Sequence, residues 1–579
     1  MEPVSERRWL LRTAPPEAAL LDRLSETLEV PPLVARLLAH RGLESDTAGG
    51  FLQNRLADLP DPFLLPDMEF AVRRLQRAIE QGERIAVHGD YDVDGITGTA
   101  LLCSLLTALD GQVDYHIPLR LRDGYGLSAT ALRRAAQEGV ALVISVDCGV
   151  SAVEEAALAR ELGLELIITD HHQPPEVLPT ALAVINPQRP DSLFPCADLA
   201  GVGVAFFLLI ALRQRLRESG WFNQRPEPDL REALDLVALG TIADLVPLRG
   251  VNRILVSHGL RVLQRGVRIG IRALKQVAGI DRVTCGAVGF QLAPRLNAAG
   301  RLEDAERAVD LLLQDDMLTA LTTARSLDQC NRQRQELEKR ILQEAEKAVA
   351  ALPAQRSHVI VLAQDAWHPG VIGIVASRLV ERYHRPTVLI ALEGSIGKGS
   401  ARSIGGFHLY RGLQHCAGLL TAFGGHAMAA GLTLERERLE DFAAALEIHA
   451  RDAIDPQDLV PSLRHDGVVL LEELDLSVLQ LCERLEPFGI GNPEPLLVVA
   501  SVRARQIQEL SGGHLRFNAC QGGFSHPAIA FGMQARRAEF AGEIDLLVAP
   551  QINHYKGRKT VQLRVRDVRP ASADEVLVG

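Results

Sequence analysis

The sequence predicts an α/β protein of several domains: a parallel-sheet domain, a long connecting helix, a second and smaller α/β domain, and a small C-terminal β-barrel. Three observations carry this reading. From about residue 70 to 245, short apolar runs alternate with helix-length patterns, the rhythm of a parallel, doubly wound sheet. From Ala324 to Leu352 a helical pattern runs without a Gly or Pro. After the Pro/Gly-rich bend Glu486–Pro495, short alternating segments are cut by turns at Gly512-Gly513, Gly522-Gly523 and Lys556-Gly557.

The totals agree with a multidomain globular protein. A chain of 579 residues is too long for one core, and about three or four domains are expected. No stretch approaches the ~18 apolar residues of a membrane span. Met1 to Pro16, which holds Arg7, Arg8 and Arg12, has no apolar run long enough for a signal peptide. The eight cysteines stand singly, with no Cys-x-x-Cys pair. That spacing argues against zinc ribbons, redox motifs and a disulfide framework, and it fits a reducing, cytoplasmic location. The formal net charge is −11. A protein coating DNA through a basic surface is usually positive, so composition leans slightly against nucleic acid, and any such binding must come from local arginine clusters and bound metal.

Residues 1–65 carry helical signals (Leu20, Leu21, Leu24, Leu28; Val34, Leu37, Leu38) and no visible chemistry. A cap or docking segment is expected.

Residues 66–323 form the first α/β domain. Strands are predicted at Ile85–His88, Val113–Ile117, Leu142–Val146, Leu166–Thr169 and Ala183–Ile185. Helices fill the gaps at Ile96–Leu109, Ala129–Gln137, Val153–Leu162 and Val204–Leu216. The first strand runs into His88-Gly89-Asp90-Tyr91-Asp92-Val93-Asp94-Gly95, three carboxylates at alternate positions before a helix. Asp-x-Asp-x-Asp-Gly also opens an EF-hand loop, which closes on a Glu at its twelfth position. Here that position is Leu101, and a strand precedes the loop, so the EF-hand reading fails.

Two further strands end the same way, on Asp147 and on Asp170-His171-His172. Parallel topology puts all these ends on one edge, where open α/β sheets bind their ligands. Carboxylates and imidazoles crowded there repel and desolvate one another unless a cation sits among them. The set is mainly oxygen, which suits Mn²⁺ or Mg²⁺ better than structural zinc. There are ligands enough for two ions, a pairing suited to phosphoester hydrolysis.

His88-x-x-x-Asp92-x-Asp94, Asp147, Asp170-His171-His172 and the later Asp244 resemble the four motifs of the DHH phosphoesterase superfamily. The resemblance implies that His88 and Asp92 hold one metal ion, that Asp94, His171 and Asp244 hold the other, and that Asp147 bridges them. It also implies that His172 faces the scissile phosphate and that Asp90 acts in support.

Further along, Pro294-Arg295-Leu296-Asn297-Ala298-Ala299-Gly300-Arg301 offers Arg295, Asn297 and Arg301 as phosphate ligands, or else is a capped helix start with solvated arginines. Residues 324–353 read as a solvent-washed connecting helix, with charges paired at helical spacing (Glu336 with Arg340, Glu344 with Lys347).

Residues 354–460 are the second α/β unit, with strands Val359–Leu362 and Thr387–Leu392 and a helix from Val371. Its glycine-rich stretches, around Ser400 and Arg402 and around Gly424-Gly425-His426, let backbone amides approach a phosphate, or are ordinary tight turns. With the first lobe, this unit is similar to the DHHA1 domain. That similarity implies that Ser400, Arg402 and His426 face the catalytic cleft.

Residues 461–570 read as a small antiparallel, OB-like barrel built from Val468–Leu471, Leu496–Val502, Leu515–Ala519, Ala528–Phe531, Leu546–Val548 and Val561–Val565; residues 571–579 are a tail. Tyr555, Lys556, Arg558 and Lys559, with Arg564 and Arg566 nearby, make its last hairpin a candidate single-strand-binding surface.

The order DHH, connecting helix, DHHA1, barrel resembles that of the bacterial single-strand-specific DNA exonucleases of this superfamily. It implies 5′→3′ hydrolysis of single-stranded DNA to mononucleotides with two Mn²⁺ or Mg²⁺ ions, in recombination and repair. The implied protein partners are a single-strand-binding protein and a RecQ-type helicase. Smaller DHH proteins act on short oligoribonucleotides or cyclic dinucleotides, and such substrates have no need of a barrel. A binding scaffold with a dead site is argued against by the intact ligand set. Which of Arg120, Arg295, Arg301 and Arg402 meets the terminal phosphate stays open.

Overall fold

The structure is a computed structural model, and it describes residues 7–119, 126–302, 304–353, 357–555 and 557–571. A short strand, β1 (Arg8–Leu11), and three helices between Ala18 and Gln53 open the chain. Five parallel strands follow: β2 (Arg84–Gly89), β3 (Gln112–His116), β4 (Leu142–Val146), β5 (Glu165–Thr169) and β6 (Ala183–Ile185). Their spatial order is β3-β2-β4-β5-β6. Along β4, Leu142, Ile144 and Val146 face one apolar core while Val143 faces another. Helices therefore cover both faces, as strands buried on both sides require.

Three helices of the larger core are buried almost all round: α1 (Val93–Ala108), α2 (Gly201–Glu218) and α3 (Leu234–Ala243). Helix α1 starts three residues before the apolar pattern does. The Asp92 carboxylate accepts from the backbone N–H groups of Asp94 and Gly95, so the acidic motif caps the helix.

A single π-turn, Val288–Leu292, leads into α4 (Ala293–Leu302). The connecting helix, α5, spans Met317–Ala350 and is capped by Asp316. Its 34 residues make it about 50 Å long. It starts earlier than predicted, and it is not solvent-washed: Leu327, Cys330, Ile341, Ala345 and Val349 bury one face. Glu344 accepts from the Trp367 indole instead of pairing with Lys347.

The second α/β domain holds β7 (Ile360–Gln364), α6 (Pro369–Tyr383), β8 (Thr387–Glu393), β9 (Ile396–Arg402), β10 (Ala422–Gly425) and β11 (Ala429–Glu435). The sheet order is β10-β11-β9-β8-β7, with only β7 and β8 parallel.

After β12 (Ser462–His465) comes a closed barrel of β13 (Leu497–Leu510), β14 (His514–Gln521), β15 (Phe524–Ala530), β16 (Glu543–Tyr555) and β17 (Arg558–Pro570). Two expectations fail here. The barrel is not wholly antiparallel, because it closes through a parallel β15–β17 pair. Val468–Leu471 is not a strand either: Val468 makes one bridge to Val498, and the Leu470 N–H then donates to Glu473, turning the chain.

The N-terminal segment belongs physically to this barrel. Strand β1 pairs in parallel with β12, and Leu24, Val34, Leu37 and Leu38 share a core with Leu497, Phe517 and Leu546. Arg253, buried in the first domain, donates to the carbonyls of Phe51, Arg484 and Leu485 and so ties both parts to that domain. Among the described residues no helix is long and apolar enough to cross a membrane, and all eight cysteines are free.

Candidate metal centre

The carboxyl ends of β2, β4 and β5 converge as the sequence predicts, and the end of α3 joins them. His171 lies at the middle. Its Nε2 stands 3.1 Å from Asp147 Oδ1, 3.6 Å from Asp244 Oδ2 and 3.8 Å from Asp94 Oδ2. This nitrogen is buried without a hydrogen-bond partner, although carboxylate oxygens ring it. Three groups of donor atoms lie within 4.8 Å of one another: Asp94, His171 and Asp244; Asp90, Asp92 and Asp147; Asp147, His171 and His172. Asp147 belongs to two of the three. An oxygen-rich cage with one central imidazole fits Mn²⁺ or Mg²⁺.

His88 is buried in the same wall but outside those three groups. Its Nε2 donates to the Gly126 carbonyl at 3.0 Å, which leaves Nδ1 as the acceptor able to meet a cation.

The backbone is shaped for close approach. Asp147 sits at φ 63° and Leu245, next to Asp244, at φ 62°, both in the left-handed region. Such strain in non-glycine residues gathers at functional sites. The N-terminus of α2 presses directly on the cage: the N–H groups of Gly201 and Val202 donate to the two oxygens of Asp94 at 2.6 and 2.9 Å. A Cβ on Gly201 would lie 2.7 Å from that of Asp147, so only glycine fits.

Electrostatics follow from this crowding. Burial, then the neighbouring carboxylates, pushes Asp94 up to about 7, Asp244 up to about 9 and Asp147 well above the usual range. Burial holds His88 and His171 down at about 4, so both are neutral ligands. His172 behaves oppositely. Burial works against its charge, but Asp170 accepts from its Nδ1 at 2.8 Å and raises it to about 9.

Asp170 also accepts from the N–H groups of Val150, His171 and His172. It is a positioning residue to which the sequence reading gave no role. The signal was present, since a buried Asp between a strand and two histidines must accept something.

The remaining candidates scatter. Ser400 and Arg402 lie on β9 beside α6, where a Cβ on Gly373 would come within 2.7 Å of Ser400 Oγ and 3.2 Å of Arg402 Nη2. His426 is exposed in the β10–β11 turn. Arg301 donates to the Gly370 carbonyl at 3.1 Å, bridging the two lobes, and Asn297 lines a cavity beside it. Arg295 lies in the same helix, its Nε donating to Asp328 at 2.9 Å and its Nη1 to the Gln291 carbonyl at 2.6 Å. Arg558 and Lys559 are exposed on the last hairpin, whereas Arg564 and Arg566 are paired with Glu494. Arg120, Lys556 and the side chain of Tyr555 lie outside the described residues.

Family models match the chain in order: the DHH family N-terminal domain over residues 84–241, the DHHA1 domain over 356–450 and the RecJ OB domain over 465–567. This succession, around a carboxylate–histidine cage, defines a metal-dependent phosphoesterase of the DHH type. The chain is 38% identical over 572 residues to the single-stranded-DNA-specific exonuclease RecJ of Bacillus subtilis, covering 97% of this chain and 71% of that one. With the RecJ of Escherichia coli it shares 39% identity over 560 residues, 94% of this chain and 96% of the other. The crystal structure of RecJ in complex with Mn²⁺ from Thermus thermophilus is similar at a TM-score of 0.83 and 34% identity, covering 98% of this chain and 80% of that one. The chain belongs to the RecJ family.

Proposed function

We propose that this protein hydrolyses single-stranded DNA stepwise from the 5′ end, releasing 5′-mononucleotides, in DNA recombination and repair. The observation that carries the reading is the cage around His171, set in a chain similar along nearly its whole length to single-stranded-DNA-specific exonucleases. Asp94, His171 and Asp244 hold one divalent ion, His88 and Asp92 the other, and Asp147 bridges them. When bound, the two ions neutralise charge on the phosphate and lower the pKa of a water.

The chain's own groups do the rest. Asp170 orients His172, which remains protonated near neutral pH and gives a hydrogen bond to the scissile phosphate. Asp90 supports the cage beside Asp92. Ser400, Arg402 and His426 from the facing lobe, with Arg301 from the catalytic lobe, hold the terminal nucleotide, and Arg558 and Lys559 hold the trailing strand. The domains divide near residues 65, 323, 353 and 460, with the N-terminal segment acting as part of the barrel unit. A single-strand-binding protein and a RecQ-type helicase are the partners the family reading supports, in the cytoplasm.

The test uses single-stranded DNA labelled at either end, with Mn²⁺ or Mg²⁺, and duplex and RNA as controls. Immediate release of labelled mononucleotide from the 5′ end alone is expected. Hydrolysis of dinucleotides without attack on long strands would move the protein to the small-substrate branch.

A further inference from the structure

We infer that Asn186 and Gln188 are positioning residues of the metal centre, the first acting through His172 and the second through His171. This rests on the reading of the protein as a nuclease with His171 on a metal ion and His172 at the phosphate. The two histidines lie beyond the paired residues of β5, so their two N–H and two carbonyl groups need partners from outside the sheet. Side chains supply all four. Asp170 accepts from both N–H groups. Asn186 Nδ2 donates to the His172 carbonyl at 2.8 Å, and Gln188 Nε2 donates to the His171 carbonyl.

Both donors come from one short turn after β6. Thr169 pairs with Ile185, so Asn186 leaves the sheet level with Asp170. Asn186 is fully buried, and its Oδ1 accepts from the Gln188 N–H at 2.7 Å, closing a turn around Pro187. Asparagine carries, on one short side chain, the acceptor this turn needs and the donor that His172 needs. The turn is itself anchored. Arg189 Nη1 donates to Asp67 Oδ2 at 2.6 Å and to the Val184 carbonyl at 2.7 Å, and Asp67 also accepts from the Val184 N–H at 3.0 Å. Asp67 directly precedes the helix Met68–Gln81, so β6 and that helix both hold the turn in place.

The two clamps have different consequences. His171 Nε2 stands inside the ring of carboxylates, so a slack carbonyl at 171 displaces a metal ligand. The ring of His172 is aimed by Asp170 and by its own backbone, so a slack carbonyl at 172 tilts that ring and leaves the ligands where they are. Groups that orient a ligand from outside carry about 10- to 100-fold of metal affinity or activity.

The experiment measures kcat and KM on single-stranded DNA, Mn²⁺ binding to metal-stripped protein by calorimetry, and Tm. It compares wild type with Asn186→Asp, Asn186→Leu and Gln188→Met. The first variant keeps the acceptor and removes the donor, the second removes both without adding charge, and the third keeps the length of Gln188 without its donor. Both Asn186 variants should lower kcat about 10- to 100-fold, with KM and Mn²⁺ affinity within about 2-fold of wild type. A fall shared by the two excludes the added charge as its cause. Gln188→Met should instead weaken Mn²⁺ binding about 10-fold, and raised Mn²⁺ should restore its kcat. Unchanged kcat in both Asn186 variants, or unchanged Mn²⁺ affinity in Gln188→Met, would overturn the corresponding clamp. Losses in kcat, KM and Mn²⁺ binding together, in step with Tm, would overturn both, leaving structural contacts only. Failure of wild type to degrade single strands would instead sink the nuclease reading, and the Mn²⁺ titration of Gln188→Met would still decide its clamp.

Discussion

Nε2 of His171 stands 3.1 Å from Oδ1 of Asp147, and each comes from a different strand end. Strands β4 and β5 are neighbours in parallel register, with Val146 opposite Thr169, so Asp147 leaves the sheet level with Asp170 and one residue short of His171. The left-handed backbone at Asp147 then turns its carboxylate into the cage, with its N–H still held by the Thr169 carbonyl at 3.0 Å.

Asp147→Asn keeps the size of the side chain and removes the charge shared by two ligand groups. Turnover on single-stranded DNA should fall at least about 10²-fold, because the group that organises both positive centres is lost. Bound Mn²⁺ should fall with it. Activity retained with normal metal content would remove Asp147 from its bridging role.

The cage also predicts a pH dependence for metal-stripped protein. Asp94 and Asp244 have folded pKa values of about 7 and about 9, above the ordinary carboxylate value of about 3.9. A group that binds its proton more tightly when folded contributes stability at low pH and loses it as pH rises through the folded value. His172, raised to about 9, acts in the same direction, and His88 and His171 are already neutral above pH 7. The apoprotein Tm should therefore fall between about pH 6.5 and 9. Because ligation displaces those protons, the Tm gained on adding Mn²⁺ should be larger at the upper end of that range. A gain independent of pH would contradict the raised carboxylates.

Arg253→Met tests the link among three parts of the chain. Arg253 is 2% exposed, burial lowers its pKa to about 10, and it stacks on Phe51 at 3.8 Å. Replacement strands the carbonyls of Phe51, Arg484 and Leu485, a loss of about 2–4 kcal/mol. Thermal unfolding and proteolysis should show the barrel unit loosening first. An unchanged Tm would mean that water replaces the guanidinium at no cost.

Neutralising Arg558 and Lys559 together should weaken binding of long single strands. It should also reduce the slope of log affinity against log salt by about 1.4, the share of two phosphate contacts. Equal loss on dinucleotides would show that the hairpin is not a tether for the trailing strand.

Much of the catalytic lobe was legible because its signals are local. Leu142–Val146 and Ala183–Ile185 are strands over the predicted residues, since an unbroken apolar run between turns has few other folded states. Asp147 follows such a run directly, His171 stands one residue past another, and Asp92 lies in the loop after a third. Arg295 shows the limit: that its guanidinium also reaches Asp328 on another helix is invisible in the local pattern.

The sequence by itself determined the order of domains, the parallel sheet and the acidic and histidine residues at its strand ends, because strand periodicity and strand-end residues are properties of neighbouring positions. Tertiary structure alone decided the rest. Residues 8–53 join the barrel unit more than 400 positions away, β15 closes the barrel on β17 in parallel, and Gly201 is required by the approach of α2 to Asp147. Asp170 became the support of His172 only once β5 and its loop were folded. Each of these depends on which distant surfaces bury one another, and no local pattern of residues encodes that choice.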